Sequence, residues 1–272
     1  MSEQVYYSKG FKKSISDTHA WRTVANSSEF VVKVLKPNFK VLDAGCGPGS
    51  ITIDFAANYL PQGSIVGIEP TQELIDTANV NKEKYGKPLD NLSFIKGSIY
   101  ELPFKDNTFD LVHVQQVIIH LQDPIRALKE LKRVVKPNGF VCVRDADLSS
   151  FLAYPEEYSL LGEHYALKAK NAVSTDIKAG RKLRPKALQA GYESDKIRTS
   201  VSNWICTDSI DAKHRWAAAT VARLESGGEK FYPEDDAKDK ELREKVIELW
   251  KKWSEDETSM INLPNYEIIY QK

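Results

Sequence analysis

Between Lys40 and Arg144, short β-branched runs alternate with stretches of helical period. The runs Lys40–Asp43, Ser64–Glu69, Leu92–Lys96, Phe109–Val114 and Phe140–Arg144 predict five strands. Between them, Ile51–Tyr59, Gln72–Tyr85 and Pro124–Val135 predict helices, the last with Leu128, Leu131, Val134 and Val135 on one face. Pro61-Gln62-Gly63 and Lys136-Pro137-Asn138-Gly139 are turn sequences that each stop a helix before a strand. Alternation of this kind builds an α/β, doubly wound, mostly parallel sheet with helices on both faces.

The flanks are more helical. His19–Leu35 reads as one amphipathic helix, and Tyr154–Lys170 and Asp208–Leu224 as two more. Ile197–Ile205 and Asn265–Tyr270 read as late strands. Residues 234–257 are dense in charge, yet Leu242, Val246, Leu249, Trp250 and Trp253 fall on one helical stripe. Such a helix either packs on the body or serves as a lid or partner-binding element. No repeat or low-complexity linker interrupts the chain. A single domain is expected, with an N-terminal cover over 1–38, a core over 39–150 and further helices and strands over 151–272.

Composition narrows the class. The 272 residues carry 38 basic and 38 acidic side chains, a formal charge of zero, which argues against nucleic acid or an acidic membrane surface as partner. The longest charge-free stretch, Phe55–Ile68, is too short and too polar to span a bilayer. The N-terminus, MSEQVYYSKGFKK, offers no signal-peptide core. Cys46, Cys142 and Cys206 are scattered and form no CxxC, so neither a metal site nor a disulfide framework is expected, and reduced thiols point to the cytoplasm. Oligomeric state is not readable from these features.

The most informative segment is Val41-Leu42-Asp43-Ala44-Gly45-Cys46-Gly47-Pro48-Gly49-Ser50, joining the first strand to the first helix. That joint lies at the carboxyl edge, where doubly wound sheets bind ligands. Glu69, ending the second strand 20 residues after Gly49, can accept hydrogen bonds from both ribose hydroxyls of a nucleoside. A dinucleotide GxGxxG would need glycine where Ser50 stands. A pyrophosphate also prefers a helix N-terminus without nearby acids. Asp43 and Glu69 better suit a phosphate-free cofactor with cationic groups, such as S-adenosylmethionine.

With VLDAGCGPG, VGIEP, FIKGSIYELPF, FDLVHVQQVIIHLQDP and LKRVVKPNGFVCV in that order, the chain resembles class I S-adenosylmethionine-dependent methyltransferases, in particular the UbiE-like small-molecule branch. The likeness is strong over about residues 20–150 and weaker beyond. It implies a Rossmann-like, seven-stranded sheet, S-adenosylmethionine as cofactor and S-adenosylhomocysteine as product. It further implies that Asp43 and the Gly45, Cys46, Gly47 and Gly49 backbone line the methionine part. Glu69 would hold the ribose and Pro70 would lie beside the adenine, with Ser98 and Ile99 contacting that base. The family usually has an acid where Ser98 stands, and a serine accepts more weakly. Gln115 and Gln116 fall where the family contacts the methionine moiety, and Tyr6, Tyr7, Trp21 and Arg22 match an N-terminal segment that closes over the cofactor.

Methyl transfer from a sulfonium needs alignment and exclusion of water, and a base only when the acceptor carries a proton of high pKa. His120 is the best candidate for a base or acceptor-positioning group, its alternative being a helix-start histidine before Asp123-Pro124. Asp145 and Asp147, just after the fifth strand, could bind an acceptor amine or take its proton, or simply cap a turn. His113 and His164 read as packing residues, and the cysteine spacing does not support a thiolate pair. No Asn-Pro-Pro-Tyr or Asp-Pro-Pro-Tyr follows the fourth strand, which weighs against nucleobase amines. Phe151, Tyr154, Tyr158, Tyr165, Trp204 and Trp216 lie in the covering elements and form either an apolar small-molecule pocket or ordinary core. The expected activity is methylation of a small, apolar or aromatic metabolite. The other readings are a catalytically silent S-adenosylmethionine-binding protein acting through a partner, and an NAD-dependent oxidoreductase.

Overall fold

The computed structural model describes residues 19, 21–171, 175–207, 209–226 and 230–272. Five parallel strands form one half of the sheet: β1 (Lys40–Ala44), β2 (Ser64–Glu69), β3 (Leu92–Lys96), β4 (Phe109–Gln115) and β5 (Val135–Ala146). Three antiparallel ones complete it: β6 (Leu152–Tyr154), β7 (Ile197–Cys206) and β8 (Met260–Gln271). The order is β3-β2-β1-β4-β5-β8-β6, with β7 also on β8. The doubly wound α/β class is as expected, with eight strands rather than seven. The additional one is β6, a three-residue pairing with Met260–Asn262.

Before the sheet, the expected single helix His19–Leu35 is two short ones, α1 (Val24–Ser27) and α2 (Glu29–Val32). Thr23 and Asn26 cap α1 reciprocally. The break falls at Ser28 (φ −144°, ψ 20°), whose buried hydroxyl meets Nε2 of His113 at 2.8 Å. A long-range hydrogen bond has overridden the local period.

Helix α3 (Ser50–Asp54) widens into a π-type turn over Phe55–Tyr59, α4 (Gln72–Lys84) follows β2, and α5 (Pro124–Val134) follows β4. Asp123 accepts from the Arg126 amide and Pro124 takes the first turn of α5. The expected turn at 136–139 lies inside β5. Val135 already pairs with Phe109, and the excursion through Asn138 (φ 64°) has its amide taken by the Lys272 carbonyl.

Helix α6 (Leu160–Asn171) begins later than Tyr154, because Leu152–Tyr154 has joined the sheet and Pro155 excludes a helical residue before it. Then come α7 (Leu183–Gln189), α8 (Ile210–Glu225) and α9 (Asp236–Glu255). The apolar stripe of α9 is covered: Val246, Trp250 and Trp253 have no exposed surface and pack with Tyr158, Leu161 and Leu224. That settles the charged helix as a packed element. Among the described residues no helix is long and apolar enough to cross a membrane.

Truncating Trp250→Ala should cost about 3–5 kcal/mol, as for other large-to-small changes at fully buried aromatics. Urea unfolding of the two proteins measures it; a loss under about 1 kcal/mol would mean α9 is dispensable to the fold.

Candidate active site

The loop after β1 crosses the carboxyl edge of the sheet. The amides of Gly45 and Cys46 both donate to the Ile68 carbonyl, at 2.8 and 3.1 Å, which ties the loop to β2. Gly45 has φ 81°, and a Cβ there would stand 2.4 Å from Val117 Cγ2, so only glycine lets the two loops meet. Gly47 (φ 53°) differs: a Cβ would meet nothing within 4 Å, and its bare backbone borders a cavity of about 310 Å³.

Glu69 lines the same cavity, 5% exposed, its carboxylate accepting from Gly47 N at 3.3 Å and Thr71 N at 3.2 Å. Burial raises its pKa above the usual range against those two amides. Asp43 is more completely engaged. The Thr52 hydroxyl donates to it at 2.5 Å and His113 Nδ1 at 2.7 Å. His113 Nε2 then accepts from Ser28, so a buried carboxylate selects the ring's tautomer. His113, Ser28 and Thr52 are wholly buried, and none of the three lines the cavity.

His120 closes the short 3-10 turn Ile118–His120 and does line the cavity. Burial, with the charges of Arg223 and Arg22, lowers its pKa to about 3, so the imidazole is neutral at ordinary pH. Asp145 has no exposed surface and does not reach the cavity; its Oδ2 accepts from Ile119 N at 3.1 Å. Burial pushes its pKa up to about 7. That value would suit a base, but the geometry makes it a support for the His120 turn. Asp147 is also buried and is ion-paired to Arg181.

Of the other expected residues, Trp21, Arg22, Gly45, Gly47, Glu69, Pro70, Ile99, Gln115 and Gln116 converge on the cavity, as does Asp43. Gln115, its amide oriented to satisfy its neighbours, donates to the Ser27 carbonyl and accepts from Arg144 Nη1 at 2.7 Å. Gln116 Nε2 donates to Asn265 at 2.6 Å. Four do not reach the wall: Cys46, Gly49, Ser98 and Asp145. Gly49 abuts Phe94 and Ala78 between helix and sheet, and the Ser98 hydroxyl accepts from the Tyr100 amide at 2.9 Å. Tyr6 and Tyr7 lie outside the described residues.

The roof is aromatic. Trp21, Trp204 and Trp216 stand with ring centroids 5.6 to 6.0 Å apart, and the Arg22 guanidinium lies 5.0 Å from the Trp204 ring. Tyr165 joins them at the cavity wall. The remaining aromatics split off: Tyr158 is core beneath α9, Tyr154 is exposed, and Phe151 packs on Tyr165 and Trp250. His164 is core, against Trp250 and Phe231. Sequence reasoning missed His19, Tyr100, Lys168, Thr175, Thr220 and Arg223. Tyr100 lies within the FIKGSIYELPF motif and could have been read from it; the others come from the N-terminal segment, from α6 and the residues after it, and from α8, where no local motif marks them. Among the described residues no three His, Cys, Asp or Glu side chains are grouped to hold a metal ion.

A family model described as a methyltransferase domain matches residues 35–203. An uncharacterized methyltransferase of Schizosaccharomyces pombe is 42% identical, covering 100% of this chain and 98% of its own. A demethylmenaquinone methyltransferase of Staphylococcus aureus is 33% identical over 44% of this chain and 48% of its own. Among solved structures, the YcgJ protein of Bacillus subtilis shares the fold with a TM-score of 0.55 at 16% identity, covering 90% of this chain and 97% of its own. The chain belongs to the methyltransferase-domain family. It is an S-adenosylmethionine-dependent methyltransferase.

Asp145 yields a pH test. An unfolded aspartate loses its proton near pH 4, whereas the folded one keeps it to about 7. Stability should therefore fall as pH rises between those values, by up to about 1.4 kcal/mol per pH unit. Asp145→Asn carries no such proton, so its advantage over the parent should grow from pH 5 to pH 7 in urea unfolding. Parallel stability curves would contradict the assignment.

Proposed function

We propose that this enzyme methylates a small aromatic metabolite, as a member of the UbiE-like branch, with the 310 Å³ cavity as its active site. The observation that carries this reading is the cavity's mixed lining. It combines a bare glycine backbone and a buried carboxylate with three tryptophans and a tyrosine. The partial likeness to the staphylococcal demethylmenaquinone methyltransferase supports the branch. The scattered thiols of Cys46, Cys142 and Cys206, none of them in a disulfide, support a reducing compartment such as the cytoplasm.

The residues present fit S-adenosylmethionine. Gly47 leaves space where any side chain would intrude, and Glu69 offers a buried acceptor beside it. When bound, the cofactor supplies a methyl group activated on a sulfonium. Glu69 would hold the ribose hydroxyls, Pro70 and Ile99 would flank the adenine, and Gly45, Asp43, Gln115 and Gln116 would border the methionine part. Trp21 and Arg22 would cover the cofactor from the N-terminal side, and the tryptophans would exclude water from the transfer.

His120 positions the acceptor rather than deprotonating it. An imidazole with a pKa of about 3 is a weak base but a competent hydrogen-bond partner. With Asp145 sealed behind the turn, the cavity lining suits an acceptor atom that needs no strong base. The domain division follows the same line, with 39–150 serving the cofactor and 1–38 and 151–272 choosing the acceptor.

Glu69→Ala should weaken S-adenosylhomocysteine binding by about 1.5–3 kcal/mol in calorimetry, the value of hydrogen bonds to a charged group. Unchanged affinity would remove Glu69 from the site, and binding of NAD in its place would overturn the cofactor assignment. Incubation with methyl-labelled cofactor and a metabolite extract should label a small aromatic compound. Tight cofactor binding with no labelled product would instead identify a catalytically silent protein.

A further inference from the structure

Gln115 at the end of β4, Arg144 on β5, Glu267 on β8 and Ser200 on β7 stand in register as one row across four neighbouring strands. The first three are buried. Polar contacts run along the row. Arg144 Nη1 donates to the Gln115 side-chain oxygen at 2.7 Å. Arg144 Nε donates to the Ser202 hydroxyl at 3.0 Å and lies 3.4 Å from Glu267 Oε1. The hydroxyls of Ser200 and Ser202 both donate to the Glu267 carboxylate, and the Arg144 guanidinium lies 4.7 Å from the Trp204 ring. At the other end of the row, Gln115 Nε2 donates to the carbonyl of Ser27, the last residue of α1, at 3.1 Å. Gln115 lines the cavity, whereas Arg144 stands behind it and does not.

Burial lowers the Arg144 pKa to about 10, which still leaves the group charged at neutral pH. A buried ion pair contributes little more to stability than apolar groups of the same volume would. What this one supplies is orientation. A carboxamide can turn over, exchanging its oxygen for its nitrogen, unless the groups on its two sides differ in kind. A guanidinium only donates and a carbonyl only accepts. Arg144 on one side and the Ser27 carbonyl on the other therefore allow Gln115 a single orientation, and they tie the cavity wall to the end of α1.

We propose that Arg144 is a positioning residue for the cofactor: through Gln115 it fixes the wall that borders the amino-acid part of S-adenosylmethionine. The inference rests on reading this cavity as the cofactor site. Glu267, Ser202 and Trp204 hold the guanidinium in place, and the row carries that placement through β5 to the last residue of β4. Arg144 touches no ligand itself, so its removal acts on the amino-acid part alone and leaves the contacts to ribose and adenine as they are.

The test titrates S-adenosylhomocysteine and adenosine, which lacks the amino-acid part, into the parent and three variants by calorimetry. Arg144→Met removes the guanidinium. Arg144→Met combined with Glu267→Gln removes both charges, so no unpaired one is left to unfold the protein. Arg144→Lys keeps a cation. The first two should bind S-adenosylhomocysteine about fivefold to thirtyfold less tightly, with adenosine within about twofold of the parent. Arg144→Lys should recover part of the loss. In a Gln115→Leu background, adding Arg144→Met should change S-adenosylhomocysteine affinity by less than about twofold, because the group it acts through is gone. Equal losses for both ligands, or a loss that persists in the Gln115→Leu background, would mean a general structural role and overturn the proposal. A parent and variants that bind S-adenosylhomocysteine equally well would overturn it alone, whereas a parent that binds none would overturn the cofactor reading and the proposal with it.

Discussion

A carboxylate at the buried end of a central strand must find hydrogen-bond donors inside the protein, and Asp43 draws its donors from across the chain. Thr52 comes from α3 and His113 from the neighbouring strand β4, where it stands in register with Asp43. Ser28 comes from the N-terminal cover, through the far nitrogen of the same imidazole. Leaving any of these buried groups unpaired would cost more than a pairing contributes, so the set is held together as a unit. The glycine loop begins one residue beyond Ala44, and its path inherits the placement of Asp43. The cavity wall built by Gly45, Gly47 and Val117 depends on that path.

Along this fixed edge the cavity draws its lining from two chemically different sets of residues. The acids belong to the sheet and are locked by backbone amides and side chains before any ligand arrives. The cations and tryptophans belong to the N-terminal approach, α6, α8 and β7, which lie outside the alternating core. A scaffold of this kind keeps the cofactor end constant, while the covering elements alone change what is bound opposite it. His120 and Asp145 sit at the seam. One faces the cavity as a neutral ring and the other is sealed behind it, holding the turn in place.

Much of the sheet was legible because its signals are local. The five parallel strands, the glycine spacing and Glu69 lie within short stretches whose period, turn residues and positive φ angles have near-neighbour causes. The departures share one origin. The helix expected over His19–Leu35 breaks where Ser28 turns to His113, and β5 starts early because Phe109 is there to pair with Val135. The helix expected from Tyr154 is shortened because Met260–Asn262 recruits Leu152–Tyr154 into the sheet. In each case a partner distant in sequence outbid the local preference. The same holds at the site: Ser98 and Gly49 sit in the right motifs, yet their contacts are with Tyr100 and Phe94 rather than the cavity.

The amino-acid sequence by itself determined the fold class, the glycine loop and the acid that faces it, because each follows from spacing along a few residues of chain. Only the tertiary structure decided that Asp43 is engaged by His113 and Thr52, that Asp145 is held behind the His120 turn, and that Arg22, Lys168 and Arg223 line one cavity. Burial and charge proximity are properties of groups brought together in space. Arg22 precedes α1 and Arg223 stands on α8, so no window of sequence contains the field the two create together at His120.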